Sequence, residues 1–439
     1  MRATEPAIGE YDRRLVAEAK TRIEEKMRRL RDIVPAVLDL SCRECVLPSS
    51  RGHTLADKNE LMALSRDFGF RDLVVANFFD FPNVDVQFVQ ELASRGADRD
   101  GLFAFVVGPR NTAGGAVEPS YGMRQVLDAG IPNIILDLVV APGNLARHGR
   151  TPRQALLDIE RGYRFMRERL PAESERRGRI YANIADFFDV WEEDTDHLLR
   201  VLKLLAEKAV GALLFEDTRG THFPFQTAEI VKLLRRYAPA PRQILVHPHA
   251  ANGLDDATAI EALLAGADGL WAALTPHAAQ IGHASSLMLL SNLLRAGNPH
   301  VEALYRMPTL AATAERMWRL HTGEGIGRDQ PVVGERAYRY IDPLFAQARK
   351  ACDLAPERIG RTAGWRLTPA WSPPQTIAKR LEELGYPPEI TGDAELLRAM
   401  RGVMSDANVE GRHARFETPE EVAAALASAQ RRLAMRNAS

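Results

Sequence analysis

The chain of 439 residues is too long for one small core, and a hydrophobic content of 46% is ample for a large one. Lysine and arginine number 57 against 58 acids, a formal charge of −1, which gives no general electrostatic pull towards nucleic acid or anionic membrane. The opening MRATEPAIGEYDRR lacks the order of a secretory signal, no apolar run approaches the roughly 18 residues of a membrane helix, and three cysteines (Cys42, Cys45, Cys352) make no disulfide framework, so a cytoplasmic protein without nucleic-acid or membrane partners is expected.

Residues 10–34 carry apolar positions at helical spacing among many charges and predict an amphipathic leader helix, with 1–34 preceding the first domain. Short apolar runs follow at 35–41, 72–79, 101–107, 133–140, 179–186, 211–217, 242–247 and 268–274. Between them lie segments of helical period, such as 55–69, 196–210 and 255–267, several closed by glycine as helix C-termini are. Eight strand–helix units of about 34 residues predict an α/β fold, a (β/α)8 TIM barrel over residues 35–296. The first strand–helix loop has no G-x-G-x-x-G, which argues against a dinucleotide-binding open sheet. Beyond residue 296 the alternation stops. Helical patterns at 308–323, 376–386 and 418–434, with the Pro- and Trp-bearing stretch GWRLTPAWSPPQ (364–375), predict a mostly helical C-terminal appendage over 297–439.

In such a barrel the catalytic groups gather at the C-terminal ends of the strands. Those ends carry Asp39, Arg43 and Glu44 (first), Asp137 (fourth), Asn183 and Asp186 (fifth), Asp217 and Thr218 (sixth), His247 and His249 (seventh), and His277 and His283 (eighth). In His247-Pro248-His249, residues i and i+2 of a strand project to one side, so two imidazoles there suit one divalent metal. Alone, H-x-H is a weak signal, more often two satisfied polar residues at a strand end. Glu44, otherwise a partner for Arg43, adds a hard oxygen ligand at the same end of the barrel. The pair Cys42 and Cys45 has no second C-x-x-C to make a zinc ribbon and reads as small apolar packing.

The opening Asp39-Leu40-Ser41-Cys42-Arg43-Glu44 resembles the Asp-x-x-x-Arg-Asp start of the DRE-TIM metallolyase family, which includes isopropylmalate synthase, homocitrate synthase and 3-hydroxy-3-methylglutaryl-CoA (HMG-CoA) lyase. Glu216-Asp217-Thr218-Arg219-Gly220 is similar to its Asp-Thr-x-Gly, VHPHAANG (246–253) to its His-x-His segment, and GHAS (282–285) stands where it has Gly-Asn-Ala. In the appendage, VVGERAYRY (332–340) and the stretch 360–386 are similar to segments of the condensing synthases. The sequence differs from the pattern at the metal Asp, here Glu44, at the metal Asn, here His283, and where the synthases carry a catalytic His-Glu segment, here YIDPLF (340–345).

The resemblance implies a divalent ion, zinc, manganese, iron or magnesium, held by Glu44, His247, His249 and His283. It implies Arg43 and Asp39 as catalytic residues, and Arg147, Thr218 and Asp186 as substrate-binding ones. Asp39, Asp186 and Asp217 are candidates for the base. The implied reaction is a Claisen-type condensation of an acyl-CoA co-substrate with a 2-oxo acid in a homodimer. The alternatives are retro-aldol or retro-Claisen cleavage of the HMG-CoA lyase type, and a binding relative without catalysis.

Overall fold

Strands covered on both faces read as unbroken apolar runs, and in the computed structural model of the protein each of the eight runs contributes one parallel strand. The described residues are 9–78, 83–108, 110–111, 117–279, 281–347 and 354–438. Cys352, the first eight residues and the last position of the second apolar run lie outside them. The strands are β1 (Ala36–Asp39), β2 (Asp72–Asn77), β3 (Leu102–Val107), β4 (Asn133–Leu138), β5 (Ile180–Ile184), β6 (Ala212–Asp217), β7 (Gln243–Pro248) and β8 (Gly269–Ala272). They pair in chain order, and β1 closes on β8 with Ala36 opposite Gly269 and Asp39 opposite Ala272. Closure needs the glycine, because a Cβ at Gly269 would collide with the Ala36 carbonyl oxygen. The fold is a (β/α)8 TIM barrel with a mostly helical C-terminal part.

Leu38, Val74, Phe103, Phe105, Ile135, Tyr181, Leu214, Leu245 and Trp271 fill the barrel as one apolar cluster, with Phe105 stacked on Trp271. Side chains along a strand alternate between the two faces. The next inward positions towards the C-terminal end are therefore Asp137 after Ile135, Asn183 after Tyr181, Glu216 after Leu214, and His247 after Leu245. This step of two turns an apolar filling into a polar mouth.

The leader helix spans Glu10–Asp32 and buries no residue. Two compact units divide between Gly325 and Ile326. The first runs past the residue-296 boundary expected from the alternation, because helix Leu310–Thr322 lies against helix Leu55–Phe68, with Arg316 bonded to Glu60 at 2.7 Å. The second unit has its own apolar core of Leu367, Ile377, Leu381, Met400, Met404 and Leu426. Its helices are Pro374–Glu383, Ala394–Val409 and Pro419–Ala438. Among the described residues no helix is long and apolar enough to cross a membrane.

Candidate metal centre

After β1 the chain turns tightly, the amides of Arg43 and Glu44 both donating to the Leu40 carbonyl at 2.8 Å. Lys58, fully buried, holds this turn from behind. Its ammonium donates to the Cys42 carbonyl, to the Val75 carbonyl at 2.8 Å and to Asp85 at 2.6 Å. A lysine without water around it needs such a set of partners. The turn delivers Glu44 to the barrel mouth, where the Ala279 amide donates to its Oε1 at 3.1 Å.

One ligand atom each from Glu44, His247 and His249 lies within 4.8 Å of the others, and all three residues are buried. The His247 Nδ1 stands 2.7 Å from the Trp271 carbonyl, which assigns the ring proton to that nitrogen. The opposite nitrogen, Nε2, is buried and has no hydrogen-bond partner. A bare imidazole nitrogen enclosed beside a carboxylate and a second imidazole fits a divalent ion of the zinc, manganese or iron(II) kind. The His249 Nδ1 likewise lies 3.2 Å from the Ala279 carbonyl, and its Nε2 is 3.6 Å from Glu216.

The electrostatics keep most of this set in its ligating form. Burial, with His249 and His283 adding to it, pushes His247 well below the ordinary histidine range. Burial alone would raise Glu44, but Arg43, His283 and the Ala279 amide hold it below its ordinary value. His249 behaves oppositely: against burial, the hydrogen bond and charge of Glu216 raise it.

Arg43 is ion-paired with Glu44, and its guanidinium carbon lies 4.2 Å from the centroid of the Phe105 ring. Held between a carboxylate and an aromatic face, the fork of donors is fixed in place.

The other residues singled out in the sequence have partners of their own. His283 Nε2 accepts from the Ala273 amide at 3.4 Å and its Nδ1 lies 2.6 Å from the Ala284 carbonyl, so its ring packs beside His247 with both nitrogens engaged. Asp39 is enclosed, taking the hydroxyls of Ser41 and Ser65 at 2.7 Å each, and burial raises it to about 6. Asp186 accepts from the amides of Val140 and Ala141 and from Asn144 and shapes the loop after β4. Asp217 accepts from Gly220 and His222. Thr218 donates to the Ala185 carbonyl, and Arg147 ends helix Pro142–Arg147 exposed. Cys42 and Cys45 are buried thiols, which burial keeps protonated.

Asp137 and Asn183, present at the strand ends but given no role in the sequence, converge with Glu216. The Asn183 side-chain amide donates to Asp137 at 2.9 Å and to Glu216 at 3.1 Å, and its own carbonyl oxygen is buried without a partner. Burial and the neighbouring Glu216 raise Asp137 to about 7. Counting alternate positions outward from Ile135, Tyr181 and Leu214 finds all three.

No family model matches the chain. A probable 2-isopropylmalate synthase of Glycine max is 24% identical over 210 residues, 45% of this chain and 37% of that protein. A 2-isopropylmalate synthase of Pyrococcus abyssi is 25% identical over 206 residues, 45% of this chain and 42% of the relative. The chain thus spans about two fifths of the length of these relatives. In fold it is similar to hydroxymethylglutaryl-CoA lyase from Pseudomonas aeruginosa, with a TM-score of 0.53 at 15% identity, over 73% of this chain and 100% of the lyase.

Proposed function

Because the chain belongs to the DRE-TIM metallolyase family, we propose that it is a metal-dependent enzyme that condenses an acyl-CoA with a 2-oxo acid in a Claisen-type reaction. The observation that carries this reading is the bare, enclosed Nε2 of His247 facing the ligand atoms of Glu44 and His249. A divalent ion held by these three residues would supply a Lewis acid and a template for the 2-oxo acid. Arg43 then has a role beyond its ion pair. Its fixed donors stand beside the site and favour charge that develops on oxygen during reaction over charge already present. Asp39 supports this from behind by holding Ser41, whose hydroxyl accepts the Leu274 amide at 3.1 Å and so ties the β1 turn to the loop after β8. The reading includes a homodimer, since the stretches 332–340 and 360–386 are similar to the part of the synthases that joins two subunits.

Carbon–carbon cleavage of the retro-aldol or retro-Claisen kind is the second reading. YIDPLF (340–345) stands where the synthases carry a catalytic His-Glu segment, and its absence favours the lyase direction. One assay separates the readings. Purified protein is analysed for metal, then given acetyl-CoA with a panel of 2-oxo acids while free thiol is followed. Thiol release that needs a 2-oxo acid, water cleaving the thioester of the condensed product to free the CoA thiol, and that is abolished by chelation supports condensation. Cleavage of 3-hydroxyacyl-CoA esters without condensation moves the assignment to the lyase reaction, and a protein that retains no metal overturns both.

A further inference from the structure

The acidic wall of the mouth says which acids the site accepts, an inference that rests on the 2-oxo acid reading above. In the circle of strands β4, β5 and β6 are neighbours, and β4 stands opposite β8, so Asp137, Asn183 and Glu216 line the side of the mouth facing the β8–β1 seam. They are joined to the metal centre. One Glu216 oxygen accepts from Asn183 at 3.1 Å and the other lies 3.6 Å from His249 Nε2. Any ligand seated against Glu44, His247 and His249 therefore lies within reach of this wall.

Two features mark the wall as unfinished. Asn183 is 0% exposed, its amide hydrogens are divided between the two carboxylates, and its carbonyl oxygen is buried without a partner. A buried amide oxygen of this kind costs free energy until a donor arrives. The second feature is charge. Glu44, Asp137 and Glu216 bring three carboxyl groups to the mouth, while Arg43 is already paired with Glu44 and Arg219 with Asp189. Asp137 and Glu216 both accept from the one Asn183 side-chain amide, at 2.9 and 3.1 Å, so two carboxyl groups share a single neutral donor.

We propose that Asp137 and Glu216, bridged by Asn183, form the specificity wall of the site: they admit 2-oxo acids whose distal end is uncharged or cationic and exclude 2-oxo dicarboxylic acids. A distal methyl adds no charge beside the wall, and a distal hydroxyl or ammonium donates to Asn183 Oδ1 and to the carboxylates. A distal carboxylate brings like charge against like in a half-enclosed space.

The test compares 2-oxopentanoate with 2-oxoglutarate, which differ only in the terminal methyl or carboxylate. Binding is measured by calorimetry on full-length, manganese-loaded protein, normalised to its manganese content. The wild type is expected to bind 2-oxopentanoate about a hundredfold more tightly. Asp137→Asn and, separately, Glu216→Gln should narrow that ratio at least tenfold, chiefly by tightening 2-oxoglutarate. Equal binding of the two acids by the wild type, tighter binding of 2-oxoglutarate, or an unchanged ratio in both variants overturns the specificity wall and leaves the 2-oxo acid reading standing. Binding of neither acid overturns both.

Discussion

The two ends of the barrel use the same kinds of side chain in opposite ways. At the N-terminal end Asp72 receives both terminal nitrogens of Arg179 at 2.7 and 2.8 Å, and Arg179 also reaches the Tyr181 hydroxyl at 3.3 Å. There Asn133 donates to the Leu102 and Arg176 carbonyls at 2.9 Å and accepts the Arg179 amide at 3.0 Å. At the C-terminal end Asn183 has an orphaned oxygen, His247 has a bare nitrogen, and Asp137 is crowded by Glu216. Polar groups that complete one another build stability. Polar groups left incomplete inside a closed barrel keep their free energy for a ligand, and that contrast between two asparagines separates scaffold from site.

The contrast is broken most severely by removing the nitrogens at the C-terminal end. His247→Ala with His249→Ala is expected to take metal content from about one ion per chain to none, with all turnover lost and the fold kept. Elemental analysis after dialysis decides it, and full occupancy in the double variant would sink the site. At the other end Arg179→Met should do the reverse: about 3 kcal/mol of stability lost in denaturant unfolding, because Asp72 is left without its partner, and metal content unchanged. A loss of metal there would erase the division between the two ends.

Arg43 lies between these extremes, since it is both ion-paired and beside the metal centre. Arg43→Lys keeps the charge opposite Glu44 but not the planar fork. Turnover is expected to fall roughly a hundredfold, about 2.7 kcal/mol, with melting temperature and metal content near wild type. A purely structural Arg43 predicts instead that activity falls only as far as folded, metal-loaded protein does. Measuring all three quantities on one preparation separates the two.

The same division explains what was legible in the sequence. Strands buried on both faces are continuous apolar runs, so all eight could be read, and His247-x-His249 declared itself because its spacing matches the strand period. The roles of the acids were not legible from strand ends alone. Asp39 lies between inward-facing Leu38 and Leu40 and so points out of the barrel, towards Ser65 of the following helix, a partner 26 residues away. Asp217 has the outward parity next to Glu216 and serves the Gly220–His222 turn. Asp137 and Glu216 have the inward parity. Proximity to a strand end counts less than odd or even position along it. What no parity supplies is the state of Asn183 and His247, which depends on partners from several strands.

The last test puts a number on the unfinished end. Asp137 titrates at about 7 in the folded protein against an ordinary value of 3.8, because burial and Glu216 disfavour its charged form. Between those two values the unfolded chain releases the proton while the folded one keeps it. The folded state therefore loses stability as pH rises from about 4 to 7, and the whole penalty is present above 7. A fully enclosed group with this shift would cost about 4 kcal/mol, and the partial exposure of Asp137 reduces that to about 2. Asp137→Asn has no charge to lose. In chelated protein it should match the wild type at pH 4 and exceed it by about 2 kcal/mol at pH 8 in denaturant unfolding, with the difference growing through the interval. If the difference is flat across pH, Asp137 is not held above its ordinary value, and neither burial nor Glu216 burdens its charged form. If it grows as described, the folded protein holds Asp137 under a burden imposed by burial and by Glu216, which a cation or hydrogen-bond donor at the mouth would relieve.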